Sequence, residues 1–247
     1  MRVHELMEYE RKYLDGWEVE KELDQWAAHL DRDPIPWETT TYWNATRATG
    51  CFHPSAIARY FTEQPCELYL WHQLMGSVDH HQLGLSGRKR ADMGTAVHIL
   101  MDYYMGTRAQ HYGYLYEAEK KIHDPELHIT GHIDCEATWP LKRPLIWDYK
   151  SIALNAFRNL KKPQKNYIWQ VNTYMGVTGA PACILLYVVK DSTMFFSYVI
   201  PFDPEMWERT ETILRKVIAR GLDNPPPMNE GNYCKRCGYA YDCFSGE

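Results

Sequence analysis

"GHIDCEATWPLKRPLIWDYKSI", residues 131–152, decides how this chain folds. Its first half alternates apolar and polar residues, its second half is nearly continuous apolar sequence, and "PLKR" supplies a turn between them. The stretch predicts two adjacent strands. Side chains on a strand alternate between faces, so Asp148 and Lys150 share one face and Tyr149 takes the other. Asp134 lies on the preceding strand at a hairpin-like distance. Two carboxylates and a lysine can therefore converge at one end of a sheet.

An acid–x–Lys triplet is common. The chain has three, Glu10-x-Lys12, Glu119-x-Lys121 and Asp148-x-Lys150, and alone each reads as a surface salt bridge. Asp148 and Lys150 differ in their setting. They sit inside "LIWDYKSI", where opposite charges are costly to bury unless they serve a site. Hard divalent cations take oxygen ligands, and Mg²⁺ commonly uses one or two carboxylates, leaving the rest to water and substrate phosphate. A nearby lysine can orient water or offset charge that develops on a phosphate.

Outward from this hairpin, "YLYEAEKKI" (114–122) reads as a further strand, and "MGTAVHILMDYYMGTRAQHYG" (93–113) as a helix with apolar residues at helical spacing. "DHHQLGLSGRKR" (79–90) reads as a polar loop, and residues 53–74 as helical with a break near Pro65. Residues 1–35, charged and Trp-containing, predict one or two amphipathic helices outside the main core. Downstream come a helix, "KNYIWQVNTYMGVTG" (165–179), two strands, "ACILLYVVK" (182–190) and "TMFFSYVIPF" (193–202), and a long helix over about 203–221. "DNPPPMNEGN" breaks that helix ahead of the tail "YCKRCGYAYDCFSGE". The order α, β-β-β, α, β-β, α, without internal repeats, predicts an α/β fold with a mixed central sheet flanked by helices. Residues 1–50 are expected as an N-terminal helical extension. Residues 51–247 are expected as one domain ending in a cysteine-rich segment.

The 247 residues suit one sizeable domain, and 45% hydrophobic with 24% charged residues is ordinary for a globular protein. A net charge of −5 does not advertise a nucleic-acid binder. A site built from carboxylates, however, subtracts charge where its substrate binds. Local basic clusters at 87–90, at Lys142 and Arg143, and at 158–165 offer either a track or solvated faces. Aromatics are frequent, with nine Trp and eighteen Tyr, and read either as a large aromatic core or as stacking surface. Tyr42 and Trp43 are candidates to stack on unpaired bases, or to pack an N-terminal arm on the core. No signal peptide and no apolar run near 18 residues is read, so the expected location is the cytoplasm, without a membrane partner. Seven cysteines in a reducing compartment point to metal or cluster binding rather than disulfides.

The tail gives Cys234, Cys237 and Cys243, a C-x2-C-x5-C pattern that needs a fourth ligand for a closed tetrahedral set. Cys66 in "QPCELYLW" is the best candidate and Cys51 the second. Cys135 and Cys183 lie inside predicted strands and read as core.

Four motifs resemble those of PD-(D/E)XK nucleases of the RecB-like branch, in the same order. "GTAVH" places His98, "GHID" ends in Asp134, "DYK" gives Asp148 and Lys150, and "QVNTY" gives Gln170 and Tyr174, which share a helix face at i and i+4. The resemblance implies a restriction-endonuclease-like core and hydrolysis of DNA phosphodiester bonds. It implies one or two Mg²⁺ or Mn²⁺ ions held by His98, Asp134, Asp148 and the Tyr149 carbonyl. An imidazole ligand favours Mn²⁺ more than an all-oxygen site does. Lys150 would position water, and Glu119 is a further acidic candidate, with Glu117 also available on the same strand face.

Cys66 ahead of this core and Cys234, Cys237 and Cys243 behind it resemble the iron–sulfur nucleases of that branch, the AddB and CRISPR-associated Cas-four types. That implies a 4Fe–4S cluster, with Zn²⁺ as the alternative occupant of the same thiols. The stretch 148–175 also resembles stand-alone nucleases of bacteriophages. An exonuclease or end-processing role in recombination, replication or repair follows, with recombination or replication proteins as possible partners. A catalytically silent DNA-binding or assembly module, or a structure-selective endonuclease, are the alternatives on the same fold.

Overall fold

Five strands form one sheet in the order β1-β2-β3-β4-β5: β1 (Tyr116–Asp124), β2 (Ile129–Ala137), β3 (Leu145–Ile152), β4 (Ala182–Val189) and β5 (Met194–Pro201). The computed structural model describes residues 21–23, 25–26, 48–80, 84–139, 143–192 and 194–244. The helices are α1 (Pro54–Thr62), α2 (Glu67–Met75), α3 (Leu85–Tyr112), α4 (Leu154–Arg158), α5 (Lys165–Thr178), α6 (Pro204–Ile218) and α7 (Ala240–Phe244), with a 3₁₀ turn at Asn232–Arg236.

β1, β2 and β3 pair antiparallel, β3 and β4 pair parallel, and β4 and β5 return to antiparallel. A parallel pair cannot be closed by a tight turn, so α4 and α5 cross over between β3 and β4. β4, "ACILLYVV", is buried at every position, because helices cover both faces of the sheet there. Ala182, Ile184, Leu186 and Val188 pack with Val97, Met101 and Met105 of α3. Cys183, Leu185, Tyr187 and Val189 pack with Val171, Tyr174 and Met175 of α5. β1 is an edge strand carrying Lys120 and Lys121, the kind of charge that discourages edge pairing. A third core joins Ile57 of α1, Leu70 of α2, Ile129 of β2 and Leu214 of α6 to Tyr239 of the tail.

Three local expectations change. The "GLSGRKR" stretch expected as loop begins α3, which starts at Leu85. Residues 85–93 are almost wholly exposed, so no apolar period marks the helix there. The short helices α4 and α7 were not anticipated. Each is a five-residue turn, below the length at which periodicity is visible. The N-terminal stretch is not wholly outside the core, because Leu23 is fully buried among α3, β3 and β4 residues, and Trp26 Nε1 donates to Thr107 Oγ1 at 3.2 Å. Tyr42, Trp43 and Lys142 lie outside the described residues. Cys135 and Cys183 are fully buried in strands, as expected of core thiols.

Candidate active site

The site forms where β2 and β3 part. Their ladder pairs Ala137 with Leu145, Glu136 with Ile146 and Cys135 with Trp147, then stops. Continued, the same register would set Asp134 opposite Asp148. Instead the strands fork, and the Asp134 side chain takes over a ladder position, its Oδ2 accepting from the Tyr149 backbone N–H at 2.5 Å. The fork leaves both carboxylates at the end of the paired region.

On β3, Leu145, Trp147 and Tyr149 face α3, while Ile146 and Ile152 face α5. Asp148 and Lys150 share the α5 side with Ile146, as strand alternation requires. The Tyr149 ring points the other way, buried, its hydroxyl donating to Cys135 Sγ at 3.1 Å. Asp148 is 1% exposed. Its Oδ2 meets the Lys150 ammonium at 2.6 Å, but neither carboxylate oxygen has a directional hydrogen bond among the described residues. Burial raises the Asp148 pKa, Lys150 lowers it and Asp134 raises it, leaving it at about 6. Burial works against the Lys150 charge, but the Asp148 and Asp134 carboxylates more than offset that and raise its pKa. The ammonium also lies 5.0 Å from the Tyr167 ring centroid.

The opposite wall is α3 and β1. His98 Nδ1 is 3.4 Å from Asp134 Oδ1, and ligand atoms of His98, Glu119 and Asp134 all lie within 4.8 Å of one another. Glu119 reaches this point through backbone strain. Its φ of 47° is in the left-handed region that non-glycine residues seldom adopt. Tyr116 packs on the α3 side and Ile122 on the α5 side, so the strand's alternation shifts between them. The shift separates the two candidate glutamates. Glu117 turns outward and pairs with Lys120 at 3.4 Å, while Glu119 turns in. Burial, then Asp134, raises the Glu119 pKa to about 7 against the lowering by His98.

Gln170 and Tyr174 come from α5, Gln170 Nε2 donating to the Tyr174 hydroxyl at 2.8 Å. Burial, then the Asp148 charge, raises the pKa of Tyr174, which places the phenol beside the carboxylates. Gly131, the first residue of "GHID", lets α1 and α5 close over β2. A Cβ there would stand 3.0 Å from Pro54 Cδ and 3.7 Å from Tyr174 Cε1.

Asp102 was not singled out from the sequence. It follows His98 by one helical turn, accepts from the Tyr116 hydroxyl at 2.7 Å, and has its pKa raised to about 7, chiefly by burial and further by Glu119 and Asp134. The i, i+4 spacing from His98 was the available signal.

The donor set is one imidazole and carboxylates, with an orphaned buried oxygen at Asp148. That is the chemistry of a hard to borderline divalent cation, and the residues fit Mg²⁺ or Mn²⁺.

The cysteines gather from both ends of the described chain. Cys66 is buried at the start of α2, and Cys237 and Cys243 pack against the same core. Cys243 has its pKa pushed up to about 11 by burial, then by Cys237, Cys66 and Cys234. Cys66 thus lies in the electrostatic neighbourhood of Cys243, while Cys51 Sγ lies 3.6 Å from the Ala48 carbonyl and 3.8 Å from His53 Nε2. Gln64 Nε2 lies 3.1 Å from Cys237 Sγ, and His72 Nε2, which the sequence did not mark, lies 3.9 Å from Cys243 Sγ.

This architecture is an α/β mixed sheet flanked by helices, and it resembles a nuclease fold. The chain is similar to the alkaline exonuclease LHK-Exo from Laribacter hongkongensis, with a TM-score of 0.51 and 19% identity over 69% of this chain and 87% of that one. The structure of LHK-Exo in complex with dAMP matches at a TM-score of 0.50 and 18% identity, over the same shares. SSO0001 covers 92% of this chain and 94% of its own, at a TM-score of 0.47 and 14% identity. At these identities the likeness is one of fold. No protein-family model matches the chain, and no curated protein sequence does. Among the described residues no helix is long and apolar enough to cross a membrane.

Proposed function

We propose that this chain is a divalent-metal-dependent nuclease that hydrolyses DNA phosphodiester bonds, as an exonuclease or end-processing enzyme in recombination, replication or repair. The observation that carries this reading is the β2/β3 fork. It sets Asp134 beside His98 and Glu119 on one side, and beside the buried Asp148 with its Lys150 partner on the other. The fold it shares with an alkaline exonuclease solved with dAMP supports a deoxynucleotide-containing substrate.

His98, Asp134, Asp148 and, as a further carboxylate, Glu119 would hold the cation, with the Tyr149 backbone alongside. When bound, the ion supplies Lewis acidity toward a phosphate oxygen and acidifies the attacking water. The chain's own groups do the rest. The Lys150 ammonium, fixed by Asp148 and kept protonated, offsets charge developing on the scissile phosphate and orients water toward phosphorus. Water attacks, the P–O bond to the leaving nucleotide breaks, and the leaving oxygen takes a proton. Gln170 and Tyr174 present an amide and a phenol from one helix face beside that point.

The second part of the proposal is a 4Fe–4S cluster on Cys66, Cys234, Cys237 and Cys243. Cys66, Cys237 and Cys243 share one core, and the pKa of Cys243 is raised by the Cys237, Cys66 and Cys234 thiols after burial. Zn²⁺ is the alternative occupant of the same four thiols.

The test is cleavage of end-labelled single- and double-stranded DNA with Mg²⁺, with Mn²⁺ and with EDTA. Asp148→Ala and Lys150→Ala are each expected to lose at least about a hundredfold in rate, the scale of removing one preorganised charge-stabilising group. Both should keep a cooperative unfolding transition. Robust cation-dependent cleavage by either variant sinks the assignment.

A further inference from the structure

A groove leads from the candidate site to the cysteine-bearing tail. One cavity, of about 300 Å³, lies between α1 and the start of α5, where Arg59, Glu63, Tyr69, Tyr167 and Gln170 line it. A second, of about 530 Å³, is lined by Arg59, Glu63, Gln64, Tyr233 and Arg236. Arg59 and Glu63 belong to both, so the two cavities adjoin. Each falls within the roughly 300–1,000 Å³ that accommodates a small ligand, enough for a nucleotide and too little for a duplex.

The inner end of the groove borders the candidate site through Gln170 and Tyr167. Gln170 bonds Tyr174, and Tyr167 lies under the Lys150 ammonium. The outer end is the tail between Cys234 and Cys237, and that wall is built in. The His80 N–H donates to the Gly238 carbonyl at 2.9 Å, Asn229 Nδ2 to the Pro65 carbonyl at 2.8 Å, and Arg59 Nη2 to the Arg236 carbonyl at 3.3 Å. A Cβ on Gly238 would stand 1.7 Å from Asp79 Oδ1, so only glycine lets the tail approach so closely.

The two arginines differ. Arg59 has Glu63 as an ion-pair partner at 3.9 Å and lies over the Tyr69 ring. Arg236 is exposed, and its guanidinium has no ion pair or side-chain hydrogen bond among the described residues. The walls carry these two guanidinium groups and the rings of Tyr69, Tyr167 and Tyr233, with the Glu63 and Asp79 carboxylates between them. Cations and phenol rings together suit one occupant. The backbone phosphates of a single strand meet the cations, and its bases stack on the rings.

We propose that this groove receives the unpaired strand of the DNA substrate, with phosphates on Arg236 and Arg59 and bases against Tyr167 and Tyr233. The tail between the cysteines is then the outer wall of the strand's path to Lys150. This rests on the nuclease reading above and names the substrate's route.

The probe is a fluorescein-labelled oligothymidylate of about 16 nucleotides, at the long end of single-strand site sizes, bound to the full chain in EDTA and followed by anisotropy over a salt series. Arg236→Ala is expected to raise Kd about tenfold at low salt and to reduce the slope of log K against log salt by about 0.7, one phosphate contact fewer. Arg236→Glu should weaken binding further. Because this guanidinium holds nothing else in place among the described residues, both variants should unfold as the wild type does. If the wild type cleaves DNA while Arg236→Glu binds the probe with wild-type Kd and slope, the path is wrong and the nuclease reading stands. If the wild type neither binds nor cleaves DNA, both fall.

Discussion

Asp148 and Lys150 sit in a strand with no other use for charge, and the buried carboxylate depends on the partly buried ammonium beside it. Asp148, Glu119 and Asp102 all have pKa values raised by burial, to about 6, about 7 and about 7, from ordinary values of 3.8, 4.5 and 3.8. The sign of the resulting pH dependence is opposite to that of a salt-bridged surface carboxylate. A carboxyl whose folded pKa is raised contributes stability that is fully present below its unfolded pKa, near 4. That contribution is lost as pH rises through 6 to 7. Cation-free protein is therefore expected to lose this contribution between about pH 4 and pH 7. A divalent cation, binding the ionised groups, should return stability mainly above that window. Thermal unfolding with Mn²⁺ and with EDTA checks this: the gain in Tm on adding Mn²⁺ should be larger at about pH 8 than at about pH 5.5. An equal gain at both pH values would show that the ion binds elsewhere. At this scale much of the candidate site's arrangement was legible. Asp134, Asp148 and Lys150 stand out as charges in apolar strands, and His98, Gln170 and Tyr174 through motif spacing. Asp102 was not legible, because one acidic residue on a polar helix looks like any other until Tyr116 is seen to hold it.

The elements show which physical signals a sequence carries. Strands buried on two faces announced themselves as apolar runs, and "DYK" read correctly because alternation holds along β3. β1 did not read so simply. The φ of 47° at Glu119 shifts the alternation, and no residue there advertises the shift. The start of α3 was missed for the opposite reason, because an exposed helical turn buries no face that would impose an apolar period. The α5–α6 contact, which backs the Gln170–Tyr174 face, depends on one glycine. Asn172 and Asp203 exchange hydrogen bonds of 3.0 and 2.8 Å at its edge, while Trp207 lies against Gly176. A Cβ at Gly176 would stand 2.1 Å from the Trp207 ring. Gly176→Ala is therefore expected to force the indole out of place, at about 1–3 kcal/mol, partly offset by up to about 1 kcal/mol of helix propensity. Denaturant unfolding should show a lower midpoint with little change in slope. A midpoint at or above the wild-type value would mean that α6 can slide without loss.

Across the whole molecule, the order of elements was enough to expect a mixed sheet flanked by helices. The fork between β2 and β3 was not, because strand pairing is a property of register between segments rather than of either segment. The same holds for the cysteines. Their spacing marked the tail, but only the third core brings Cys66 to Cys237 and Cys243 and so joins α1 and α2 to the end of the described chain. A cluster on these thiols would act as a staple across nearly the entire domain. By analogy with a disulfide, closing so long a loop contributes on the order of 5 kcal/mol. Anaerobically purified wild type is expected to be brown, with an absorption shoulder near about 400 nm and roughly four irons per chain. Cys237→Ser should lose iron and thermal stability together. It should also loosen the tail that carries Arg236, so that binding of oligothymidylate weakens along with the colour. A Cys237→Ser protein that is colourless but as stable as the wild type would leave the cluster without a structural role. A colourless wild type carrying zinc would replace the cluster while leaving the site at Asp134 and Asp148 untouched.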